Sequence, residues 1–132
     1  MYKTSYLLLL GVLVGFNFMK MNLAFAKPAP QTYVLQRISI PQSPYQMGMG
    51  ITEFAPNASK AAQKQTGPEL CYVLEGEITF MVEGQAPRKF KVGDSYQNLP
   101  NLVHWTKAGP NGAKILATWA LQPGKPFKVL VH

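Results

Sequence analysis

A chain of 132 residues has room for one compact domain, since domains usually take about 100–150 residues, and this excludes a two-domain enzyme. Charged residues make up 14% and hydrophobic ones 47%, which suits a folded domain with a core and excludes a disordered chain. The formal charge is +7, but the basic residues are scattered, with one cluster at Arg88, Lys89 and Lys91, so no nucleic-acid-binding surface is expected.

The first segment reads as an export signal. Lys3 lies in a short polar start, residues 7–18 (LLLLGVLVGFNF) are almost wholly apolar, and Ala24-Phe25-Ala26 precedes Lys27 and a proline-rich stretch. As a helix the apolar run covers about 18 Å against a hydrocarbon core of roughly 30 Å, too short to anchor the chain. The expectation is a signal peptide over residues 1–26, a loose leader over 27–32 and one domain over 33–132. Cleavage removes Lys3 and Lys20 and lowers the formal charge from +7 to +5. The location implied is the periplasm or the medium, with no membrane attachment after cleavage. The single cysteine, Cys71, cannot form an internal disulfide, and its neighbours Leu70, Tyr72, Val73 and Leu74 predict that it is buried.

After the leader, apolar and polar residues alternate over 33–40, 47–54, 70–74, 77–82, 103–106 and 114–121, a period of two that predicts strands. Turn chemistry falls between them. Glu75-Gly76 stands at hairpin distance between two runs, and Gly109-Pro110-Asn111-Gly112 reads as a turn before Lys114. No segment keeps a helical apolar period. Six or more short strands predict an all-β sandwich or small antiparallel barrel.

Residues 57–108 carry a spaced pattern. Asn57 is followed after five residues by Gln63-Lys64-Gln65, after three more by Glu69, and after six more by Gly76; later come Gly93, Leu99, Pro100, Asn101, His104 and Ala108. This spacing, with the phrases GPELCYVLEGEITF, VGDSYQNLPNLVHW and PGKPF, resembles the small exported members of the cupin superfamily. The first cupin motif has Gly at position 57, His-x-His at 63–65, Glu at 69 and Gly at 76; the second has Gly at 93, Pro-x-Gly at 99–101, His at 104 and Asn at 108. Here asparagine replaces glycine at 57 and 101, a residue that tolerates a left-handed backbone. Two of the three histidines have become Gln63 and Gln65.

The resemblance implies a double-stranded β-helix barrel of the cupin or jelly-roll type, a homodimer, and a site formed by Gln63, Gln65, Glu69 and His104. Period-two geometry puts Gln63 and Gln65 on one strand face. An amide oxygen is a harder donor than imidazole, so a divalent metal (Mn, Fe, Ni or Zn) is expected to bind weakly through Glu69 and His104, or not at all. Two functions stand open. One is a binding module for a small polar molecule at the barrel mouth, with no catalytic residue assigned. The other is a metal-dependent dioxygenase or isomerase with Glu69 and His104 as ligands, completed by Gln63, Gln65 or Cys71. A structural dimer is a third. His104 between Val103 and Trp105 reads equally as a core residue, as do Trp105 and Trp119, while Glu75 and Glu77 read as solvated.

Overall fold

The structure, a computed structural model, describes residues 26–131; residues 1–25 of the expected signal peptide, and His132, lie outside the described residues. Eight strands follow: β1 (Gln31–Ser39), β2 (Gln46–Phe54), β3 (Ser59–Gln65), β4 (Glu69–Val82), β5 (Arg88–Lys91), β6 (Ser95–Asn98), β7 (His104–Leu121) and β8 (Lys128–Leu130). All pair antiparallel in one curled sheet, the expected barrel type. The long β7 organises it. Along one edge it pairs with β4 from Val82↔His104 to Glu69↔Trp119; along the other it pairs first with β3 and then with β2.

Inward positions keep a period of two and then change phase. In β4, Cys71 and Val73 are buried, followed by Ile78, Phe80 and Val82; in β7, His104, Thr106 and Ala108 are buried, followed by Ala113, Ile115, Ala117 and Trp119. Both switches occur at one place, where the β4–β7 register shifts around Gly76 and residues 109–112 bypass β4. Gly76 has φ 70°, and a Cβ there would lie 2.0 Å from the Gly112 carbonyl oxygen, so only glycine fits. Two expectations are corrected as a result. Glu75-Gly76 is a kink inside a continuous β4 and not a hairpin turn, and residues 109–112 are an irregular stretch of β7 and not a chain reversal. Turn residues serve here as bulges that re-aim the side chains without ending the strand.

The core gathers Phe54, Val73, Ile78, Phe80, Ile115 and Trp119; burying each such side chain is worth about 1.5–3 kcal/mol. Trp119 lies across β2, where a Cβ on Gly48 would come within 2.4 Å of the indole ring, which explains a glycine in the middle of a strand. Asn57 and Asn101 have φ 58° and 65°, the left-handed turns expected of them. β1 begins at Gln31, two residues inside the expected leader, and all its residues are exposed.

Candidate functional site

β3 (SKAAQKQ) has no large apolar side chain, and its inward positions are polar. Its register with β7 runs Lys60↔Thr106 then Gln63↔His104, so β3 holds one extra residue. This bulge turns Lys60 to the same side as the buried Gln63 and Gln65. Glu69 opens β4, Asn98 closes β6 and His104 opens β7, so four strands end at one point in the barrel.

Their side chains bond to one another. Gln65 Nε2 donates to Glu69 Oε2 at 2.7 Å, and Asn98 Nδ2 approaches the same oxygen at 3.3 Å. His104 Nδ1 lies 3.0 Å from the Leu102 carbonyl oxygen, which can only accept, so Nδ1 carries the proton and Nε2 accepts. Asn98 Nδ2 donates to that Nε2 at 2.9 Å, with Gln63 Nε2 at 3.4 Å. Burial, with Phe80 packed 5.6 Å from the ring, lowers the His104 pKa below its ordinary value and favours the neutral ring. Gln65 Oε1 and Asn98 Oδ1 are buried with no partner among the described residues, two unsatisfied acceptors within the cluster.

Two neighbouring spaces adjoin this cluster. The inner one, about 20 Å³ and room for one water, touches Gln63, Glu69, Cys71, Tyr96 and His104. The outer one, about 190 Å³, forms the mouth between β1, β8 and the end of β7, and shares Thr52, Lys60, Glu69 and Ala117 with the inner space. Burial pushes the Cys71 thiol far up, with the Glu69 charge adding to it, so this sulfur is a protonated thiol and no nucleophile. Burial, then the Lys128 charge, lowers Lys60 to about 8.

Gln63, Gln65, Glu69 and His104 therefore come together, and Cys71 lies buried beside them. Trp119 lines the mouth, while half-buried Trp105 lines neither space. Glu75 is exposed and pairs with Lys114 at 3.0 Å. Sequence reasoning missed Asn98, Tyr96 and Lys60. For the first two a signal existed in the alternation of SYQN, which puts Tyr96 and Asn98 on the inner face; for Lys60 the bulge hid it.

A family model of the cupin domain matches residues 50–119, more than half the chain. The chain belongs to the cupin family. This cupin resembles a cupin-like protein from Thermotoga maritima, with 20% identity over 77% of this chain and 75% of that one and a TM-score of 0.63. A protein with a double-stranded β-helix domain from Klebsiella pneumoniae is similar at 16% identity over 81% and 88%, with a TM-score of 0.65. A DMSP lyase from Ruegeria pomeroyi shares 20% identity over 92% of this cupin but only 57% of its own length, with a TM-score of 0.65. At these identities the likeness is one of fold. No curated protein matches in sequence. Among the described residues of this cupin, no three His, Cys, Asp or Glu side chains group as metal ligands.

Proposed function

We propose that this cupin is an exported binding module that takes a small polar molecule at the barrel mouth, its metal position replaced by a hydrogen-bonded network. One observation carries the reading: Glu69 Oε2 and His104 Nε2, the lone pairs a metal would use, each receive an amide N–H. One imidazole, one carboxylate and amides turned to donate do not fit a tightly held first-row transition metal, which favours several nitrogen or sulfur donors. The open mouth above the network supplies space for a ligand. Elemental analysis after dialysis tests this, with no stoichiometric Mn, Fe, Ni or Zn expected. A full equivalent per chain would favour the metal-dependent dioxygenase or isomerase instead.

Export and pairing belong to the same proposal. The apolar run over 7–18 and the Ala24-Phe25-Ala26 cut support a mature chain starting at Lys27. Intact mass of the secreted protein checks this, and full-length chain in the membrane fraction would contradict it. β1 ends the strand order and exposes Tyr33, Val34, Leu35 and Ile38 on both of its faces, an apolar edge suited to a second copy. Light scattering should return a dimer mass.

A further inference from the structure

We propose that the molecule taken at the mouth is a small amphipathic anion, its charged head held by Lys60 with Arg37 and Lys128 and its carbon body covered by Trp119 and Phe127. The inference rests on the binding-module reading and names the ligand class.

Charge comes first. Arg37, Lys60 and Lys128 line the mouth against one carboxylate, Glu69. They arrive from three strands, β1, β3 and β8, so only the folded barrel brings them together. Glu69 offsets only one of the three positive charges, and its Oε2 is already bonded to Gln65 and Asn98, so the mouth keeps a positive excess. Among the described residues the ion pairs are those of Lys114 with Glu53 and Glu75, so none of the three cations has a carboxylate within 4.0 Å. The Lys60 ammonium donates to Thr52 Oγ1 at 3.3 Å and otherwise meets the Phe54 ring at 5.5 Å. Lys128 stands beside it and, together with burial, depresses its pKa. Two ammonium groups lining one mouth repel each other, and an anion bound there turns that repulsion into two attractions.

Shape and polarity then narrow the class. Val34, Trp119, Leu121 and Phe127 give the mouth an apolar wall, with the Trp119 and Phe127 rings 5.9 Å apart. Its volume of about 190 Å³ is below the roughly 300–1,000 Å³ of pockets for drug-sized ligands, which suits short-chain or single-ring anions better than nucleotides. Carboxylate, sulfonate and phosphate heads share the required chemistry.

The test titrates the purified protein with benzoate, hexanoate, benzenesulfonate and phenyl phosphate, and with the neutral benzamide and hexanamide. Affinity is followed by calorimetry and location by the Trp119 indole N–H signal. The anions should shift that signal saturably and bind about tenfold or more tighter than their amides, an advantage that added salt erodes. Lys60→Met should remove the advantage, and Lys128→Gln, at an exposed position, should reduce it without disturbing the fold. Preference among the three head types assigns the anion type. Amides that bind as tightly as the acids would overturn the anion inference while leaving a ligand-binding mouth. Failure of every probe to bind would overturn both.

Discussion

Gln65 donates its side-chain amide to Glu69 Oε2 at 2.7 Å, joining the end of β3 to the start of β4 across the Gly67-Pro68 connection. Because the acceptor is a carboxylate in a part-buried setting, the bond is of the stronger, charge-assisted kind. Replacing Gln65 by Met removes the donor and leaves Glu69 with the longer Asn98 contact. Stability should fall by roughly 1–3 kcal/mol in urea unfolding with an unchanged slope. An unchanged midpoint would show that the amide does not hold the carboxylate.

His104 makes stability depend on pH in a stated direction. Its folded pKa lies below 6.5, chiefly through burial, so on acidification the unfolded chain takes up a proton before the folded one. Stability should therefore fall as pH drops below 6.5 toward the folded value, and be fully present above 6.5. Urea midpoints measured across that window should show the slope in the parent and a smaller one in His104→Gln. Equal slopes would place the proton uptake elsewhere.

Lys60 works in the opposite sense to a stabilising residue. Held at about 8 against 10.5 in the unfolded chain, it costs stability at neutral pH, and the cost is relieved as pH rises between those values. Lys60→Met should melt several degrees above the parent at pH 7, with the gap closing by pH 10.5, since each kcal/mol moves the midpoint by about 4–8 °C in a domain of this size. A destabilised variant would mean that the bond to Thr52 and the contact with the Phe54 ring outweigh the cost of burying the charge.

Cys71, buried near the start of β4, should react with a thiol reagent only as fast as the barrel unfolds. Rapid labelling in buffer would reopen it as a reactive group or a ligand.

Asn101 sits at φ 65°, and its backbone N–H donates to the Gln65 carbonyl oxygen at 2.8 Å, so this turn braces the strand that carries the site. Asn101→Ala should cost about 1–2 kcal/mol and Asn101→Gly much less, measured by thermal melting. Equal losses would mean that the side chain, and not the left-handed backbone, matters.

What the sequence revealed and what it hid have physical causes. Asn57 and Asn101 marked turns because few residues accept positive φ, and motif spacing put Glu69 and His104 at one site, where both line the same small space. β3 gave no apolar alternation, since its inward positions hold Lys60, Gln63 and Gln65, so its strand character rested on the family pattern alone. Gly76 and residues 109–112 carry turn chemistry yet sit within strands, because a bulge needs the same backbone freedom as a reversal. The basic mouth was hidden for another reason: Arg37, Lys60 and Lys128 are far apart in the chain, and only long-range pairing unites them.

The central claim is that Gln63 and Gln65 occupy positions where imidazoles would build a metal site, and that with glutamines there the cluster is a polar network. Calorimetric titration of Zn into the parent and into the Gln63→His plus Gln65→His variant tests it most directly. The account predicts no tight binding by the parent and a rise of several orders of magnitude in the variant, abolished by adding His104→Ala. A folded double variant that binds no better than the parent, or a parent that already binds tightly, would contradict it.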